Sequence, residues 1–451
     1  MPGPGPSTRP FRFTRVLAFL AAAASFDAAA EDLIQVYRDA LAYDAVFSSA
    51  RRSLEAGKEK GSQGLALLLP TLGLSANATR ARTEVEFRDS TTPGFTRSPE
   101  QFGYTLTFTQ PLYRRQNWLQ YEQGDVQVKQ AESTYAQAQQ DLIVRVAQAY
   151  FDVLTSNDTL ALVRAQKEAI AEQLAQARRN FEVGTATITD THEAQARFDL
   201  SVSQEIAAQN DLEAKRRVLQ LQTGKEYAEL KPLRADVKLP PPNPNDMESW
   251  AELAGKHGYP VQIGEASVEL AALEAKRNRA AHLPTLDFFA THGQTGASAT
   301  SESSVGRDTT QTVIGLQLAM PLYQGGGLSS RDRESAALSL KAKDDLENAR
   351  RTQILTARQI YLSVLNGIVQ VTALEQALVS SQSALDSNKL GYEVGVRINI
   401  DVLNAQQQLF QTRRDLSLAR YNTLTNHLRL KAAAATLREE DLEVVNRALG
   451  P

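Results

Sequence analysis

Two periods of hydrophobicity alternate along the chain. Over residues 102–109 the step is two: Phe102, Tyr104, Leu106 and Phe108 share one face, and Gly103, Thr105, Thr107 and Thr109 the other. Residues 313–320 repeat it, with Ile314, Leu316, Leu318 and Met320 against Val313, Gly315, Gln317 and Ala319. Less regular alternations through Leu72, Leu74 and Ala76, and through Leu286, Phe288 and Ala290, precede each run. A period of two predicts strands, and about ten residues is the length of a membrane-crossing strand. Segments 81–100 and 293–310 between the runs are polar and turn-rich. The pattern therefore predicts two hairpins with long loops, at 70–111 and 284–321. A half-buried soluble sheet has the same alternation, and pattern alone leaves both readings open.

After each hairpin the period changes to that of a helix. Residues 116–181 contain no proline and one glycine, Gly124, and their apolar residues fall at steps of three and four: Leu142, Val146, Ala149, Val153. At about 1.5 Å per residue this is a rod on the order of 100 Å long. A second helix is predicted to return over 187–223, and the pattern recurs at 327–390 and 398–437. Such lengths with narrow apolar seams belong to coiled coils.

The recurrence is a duplication. Leu69-Pro70-Thr71-Leu72 returns at 283–286 and Pro111-Leu112-Tyr113 at 321–323; the Tyr150 segment returns around Tyr361. FEVGTATITD at 181–190 returns as YEVGVRINID at 392–401, an offset of 211 that also carries Ala194-Gln195 onto Ala405-Gln406. The main length difference, four residues, lies in the hairpin loops, where it is best tolerated. The predicted domains are a first repeat at 31–238 (helices, a hairpin and a long helical hairpin), a proline-rich linker at 239–246, a second repeat at 247–440 and a tail at 441–451. Gly184 and Gly395 sit where each chain must reverse between helices, a place that often needs positive φ.

Composition narrows the class. Aromatic residues are only 7% of the 451, thin for a large globular enzyme but sufficient for seams packed on alanine. The net charge of −3 gives no sign of a nucleic-acid partner. Residues 1–30 read as a secretory signal peptide: Arg9, Arg12 and Arg15, then an apolar run Val16–Phe26, then an A-x-A site before Glu31. The absence of cysteine excludes disulfides, thiol chemistry and amino-terminal lipidation of a cysteine. No run approaches the roughly 20 apolar residues of a membrane helix, so membrane entry would be by strands. Four strands cannot close a barrel, and an open edge cannot face lipid. Two copies would give eight strands, too narrow for an open lumen, whereas three would give twelve.

With its duplication, the LPTL and PLY strand markers, the paired corners FEVGTATITD and YEVGVRINIDVLNAQ, and RYNTLTNHLRLKAAAATL at 420–437, the chain resembles the TolC family of outer-membrane export channels. The resemblance implies an α+β membrane protein: a homotrimer whose four strands per protomer form one third of a 12-stranded barrel, continued by antiparallel coiled-coil helices as a periplasmic α-barrel. It implies docking on a periplasmic adaptor and an inner-membrane transporter, ABC-type or proton-driven. It places the two corners at the periplasmic tips. There Tyr392 and Arg397 would latch onto Thr189 and Asp190, within the protomer and across to its neighbour. Asp401 would line the constriction as a ring of three carboxylates, which favours cations. The family's best-known members carry a second acid one turn on; here that position is Asn404, so one ring would be missing. From the residues alone, Asp190 and Asp401 read first as acids offsetting the dipole of a helix N-terminus.

No catalytic constellation appears. The five histidines are scattered, Gly325-Gly326-Gly327 lacks the lysine of a phosphate loop, and three methionines without cysteine argue against a copper or silver channel. No enzyme activity and no cofactor are expected. The expected function is a passive exit duct for proteins, drugs or both, with a lean to protein secretion. The alternative is a periplasmic coiled-coil adaptor.

Overall fold

The structure, a computed structural model, describes residues 30–89, 91–234, 237–298 and 305–450. The predicted signal peptide, apart from Ala30, lies outside the described residues. Each repeat opens with two helices, α1 (Leu33–Tyr43) and α2 (Ala45–Ala66) in the first. Strands β1 (Thr71–Arg80) to β4 (Glu100–Tyr113) follow, with the short β2 (Thr83–Val85) and β3 (Phe95–Arg97) pairing inside the segment expected to be loop. Helices α3 (Arg115–Glu182) and α4 (Ile188–Thr223) complete the unit. The second repeat has α5 (Met247–His257), α6 (Tyr259–Ala280), β5 (Thr285–Ala297), β6 (Arg307–Ala319), α7 (Gly327–Glu393) and α8 (Asn399–Ala433), then a closing helix α9 (Glu439–Asn446). β5 and β6 run further than the alternation indicated. Their polar ends continue the ladder through Gly293↔Gln311 and Ala297↔Arg307, because backbone groups pair whatever the side chains are.

β1, β4, β5 and β6 form one antiparallel sheet in that order, so the two hairpins are joined through β4 and β5. The register sets Leu72 opposite Phe108, Leu74 opposite Leu106, Phe108 opposite Ala290, and Ala290 opposite Ile314. All four strands thereby bring most of their apolar residues to one face, where the Phe108 and Phe288 rings meet edge to face at 6.1 Å. That face is not a core. In one protomer Leu72, Leu74, Phe102, Ile314, Leu316 and Leu318 are 63–72% exposed. A soluble half-buried sheet would cover them; a face of this kind is made for lipid. The opposite face carries Ser75, Asn77, Thr105, Thr107, Thr291 and Gln317. β1 and β6 each keep one edge unpaired within the protomer.

At the foot of the sheet Arg114 donates two hydrogen bonds to the buried Asp287, at 2.8 and 2.6 Å, and ties the start of α3 to β5. After β6, Gly325 and Gly326 take φ of +60° and +80°, the left-handed turn that lets α7 begin at Gly327. α2 lies unusually close along α3. A Cβ at Gly124 would stand 2.6 Å from the Lys60 carbonyl, and one at Gly64 3.0 Å from the Tyr121 Cα.

The main core is a girdle around the middle of the rods. It is built from Leu33 and Tyr37 of α1, Leu142, Val146, Tyr150 and Phe151 of α3, Leu219 of α4, Leu428 of α8 and Leu442 of α9. Tyr150 donates to the carbonyls of Glu31 and Lys231, while its repeat partner Tyr361 donates to Asn245 Oδ1. Each duplicated tyrosine thus pins the segment that leads into its own or the next unit. The 239–246 linker is docked as well, since Trp250 Nε1 donates to the Pro244 carbonyl at 2.7 Å. The predicted tail is in part the helix α9, with Val445 and Leu449 in the girdle and Asn446 Oδ1 accepting from the Leu33 amide.

Gly124→Leu should force α2 off α3, an overpacking cost of about 1–3 kcal/mol. Thermal unfolding of the detergent-purified protein by circular dichroism should show a lower midpoint, whereas Ser133→Ala on the same helix should leave it nearly unchanged.

Candidate functional site at the paired helical corners

The two corners fold alike because their backbones need the same turn. Val183 and Val394 close the incoming helices near φ −90° and ψ 0°; Gly184 and Gly395 follow at φ +77° and +80°. The Thr185 and Ala186 amides then donate to the Asn180 carbonyl, and those of Val396 and Arg397 to the Gly391 carbonyl. This is the left-handed helix termination that only glycine takes without strain.

The side chains have diverged. In the first corner Thr187 caps α4: its hydroxyl accepts from the Asp190 amide, and the Asp190 carboxylate accepts from the Thr187 amide at 2.9 Å and hydroxyl at 2.8 Å. This reciprocal capping box occupies Asp190. In the second corner the cap position holds Ile398, which has no hydroxyl, and Asp401 is left out of any box. Asp401 instead forms an ion pair with Arg397 at 3.6 Å, one turn back on the same hairpin. The Arg397 stem rests on Gly391, where a Cβ would stand 2.7 Å from Arg397 Cγ.

The corners meet through three contacts. Asn180 Nδ2 donates to the Tyr392 hydroxyl at 3.1 Å. Leu403 of α8 enters the cluster of Ile170, Leu174, Ala177 and Ala194 of the first hairpin. Arg197 of α4 donates to Asn404 Oδ1 at 3.1 Å and to Gln407 Oε1 at 2.7 Å. Further along the seam the Tyr421 hydroxyl donates to Asp158 Oδ2 at 3.0 Å, where burial pushes the carboxyl above its ordinary value.

The expected latch is thus different within one protomer. Tyr392 bonds Asn180, Arg397 pairs with Asp401, and among the described residues neither bonds Thr189 or Asp190. The physical reason is the capping box, which holds Asp190 on its own hairpin. Asn404, expected at the constriction beside Asp401 in place of a second acid, is an acceptor for Arg197. Thr187-x-x-Asp190 is a legible capping signature, and its loss at Ile398 is equally legible. Nothing in a single sequence pairs Arg197 with Asn404, or Asn180 with Tyr392.

Comparison with known proteins gives the class. Residues 36–225 and 260–436 match the family described as outer membrane efflux protein. The chain is 32% identical to the outer membrane protein TolC of Vibrio cholerae over 93% of its own length and 94% of that protein's. It is 32% identical to the alkaline protease secretion protein AprF of Pseudomonas aeruginosa, over 93% and 87%. The crystal structure of the Campylobacter jejuni CmeC outer membrane channel superposes with a TM-score of 0.77 at 16% identity, covering 93% of this chain and 90% of that one, which shows the shared fold. The chain belongs to the outer membrane efflux protein family and is an outer-membrane protein.

Thr187→Ala should remove about 1 kcal/mol of local stability at the first corner. Ile398→Ala should leave the second corner's cap unchanged, since no cap bond is lost. Hydrogen exchange read peptide by peptide should speed up over 187–191 in the first variant only.

Proposed function

We infer that this protein is the outer-membrane exit duct of an export system, a homotrimer through which an inner-membrane pump, ABC-type or proton-driven, expels its cargo with the help of a periplasmic adaptor. One observation carries the reading: a four-stranded sheet with an exposed, largely apolar outer face and two unpaired edges. In lipid those edges must be paired. Joining β6 of one protomer to β1 of the next, three times over, pairs every edge and gives a 12-stranded barrel wide enough for a lumen. The helices support the same assembly. Leu355, Leu362 and Val369 recur at seven-residue steps along α7 and stay exposed in one protomer, a stripe that a neighbouring protomer would cover. The adaptor reading leaves the apolar sheet face without an environment.

The corners are the proposed periplasmic gate. Thr189 and Arg397 are both exposed and the capping box uses only Oδ2 of Asp190, so the latch expected from the family is open to form between neighbouring protomers, Arg397 and Tyr392 of one reaching Thr189 and Asp190 Oδ1 of the next. Asp401, free of a cap, is the proposed constriction carboxylate. Val183, Val394 and Val396, each 64–75% exposed beside the glycine turns, form an apolar tip for the adaptor. The relatives' names span protein secretion and efflux, and a duct for protein, drugs or both fits them, selection of cargo being left to the pump. The reading contains no enzymatic step and no cofactor.

Purified protein in a planar bilayer should give small, cation-selective single-channel currents, and Asp401→Ala should reduce the cation selectivity. Selectivity unchanged in the variant would remove Asp401 from the lining. Correctly folded protein that gives no channels would favour the adaptor.

A further inference from the structure

Arg197 lies in the first-repeat hairpin, yet both its side-chain hydrogen bonds go to the second. Its Nη2 donates to Asn404 Oδ1 at 3.1 Å and its Nη1 to Gln407 Oε1 at 2.7 Å. Asn404 and Gln407 are three residues apart, so they lie on one face of α8, and the guanidinium fork spans them as two parallel donors. Beside this bridge the Leu403 side chain is buried in the first hairpin, which fixes the register of the two helices. Both acceptors are neutral amides. The bridge therefore leaves the positive charge of Arg197 uncompensated at Asn404, one helical turn beyond Asp401. Asp401 has its own cation, Arg397, on the opposite side in sequence.

The duplication makes the arrangement one-sided. At the offset of 211 the position equivalent to Arg197 is Gln408, and that equivalent to Asn404 is Glu193. The bridge therefore has no copy in the other direction. It runs from α4 to α8 and holds the hairpin that carries Asp401.

We propose that Arg197 is a positioning and charge-setting residue of the gate: it clasps the second-repeat hairpin to the first through Asn404 and Gln407, and it adds a second positive charge, besides that of Arg397, one helical turn from the Asp401 ring. This rests on the duct reading above. Two separable consequences follow. As a clasp, Arg197 lowers the population of the opened corner. As a fixed charge, it lowers the preference of the constriction for cations. An acid placed at 404 would pair with Arg197 and strengthen the clasp, and would not add a free carboxylate ring.

The test is single-channel recording with reversal potentials in a potassium chloride gradient, on wild type, Arg197→Gln, Arg197→Lys, Asn404→Asp and the double variant Arg197→Gln with Asn404→Asp. Arg197→Gln should raise the open-state occupancy about threefold, the size of losing one solvent-exposed charged pairing, and should shift the reversal potential toward cations. Arg197→Lys keeps the charge and loses the fork, so occupancy should rise while the reversal potential stays at the wild-type value. Asn404→Asp alone should leave selectivity near wild type, and the double variant should be the most cation-selective. A purely structural role would change occupancy without moving the reversal potential in this order. The proposal is overturned if Arg197→Gln matches wild type in both readouts while Asp401→Ala differs from it, an outcome that keeps the duct. It is overturned too if Asn404→Asp alone becomes strongly cation-selective. Failure of folded wild-type protein to form any channel would overturn the duct reading, and this proposal with it.

Discussion

An unpaired backbone group in hydrocarbon costs several kcal/mol, and that penalty governs the organisation of this chain. Its sheet satisfies every interior pairing through β4 and β5 but leaves β1 and β6 with open edges, on a surface whose apolar side chains exclude water as a partner. The remedy has to come from other copies. In the trimer proposed above, the lengths of the helices and the positions of their seams have to serve the same symmetry. The duplication would serve it as well: in the proposed trimer two similar hairpins per chain place six similar elements around an axis instead of three.

The duplication also shows how one turn acquires two uses. The glycine conformation and the carbonyl acceptors are the same in both corners, since the reversal between helices demands them. The cap residue is free to differ, and it decides where a carboxylate goes. Thr187 keeps Asp190 at home; Ile398 releases Asp401 to Arg397 and to whatever lies beyond it. The cost of the missing cap is on the order of 1 kcal/mol at one helix end, small beside the packing of rods on the order of 100 Å long. A corner less tightly finished than its twin suits the moving part of the proposed gate.

Much of this was legible in the residues. Strict alternation over 102–109 and 313–320 marks β4 and β6, and the proline-free stretch at 116–181 lies within α3, because each local pattern has the same period as the structure it forms. Gly184, Gly395 and Gly325-Gly326 mark turns by backbone chemistry alone. The ends of β5 and β6 were not visible, since polar residues there pair through the backbone. Helix α9 was hidden by its shortness, and its place in the girdle depends on contacts hundreds of residues distant. At the corners the capping box is a local signal. The Arg197 bridge and the Asn180–Tyr392 bond join residues more than 200 positions apart, and nothing in one sequence couples them.

By the reading proposed above, closure of the sheet requires three chains. Native mass spectrometry of the protein released from detergent tests it directly. A dominant particle of three times the mass of a single mature chain is expected, persisting when detergent is stripped stepwise. A stable particle of one or two chains that retains the full strand content would contradict it, because the edges of β1 and β6 would then be satisfied without a third copy.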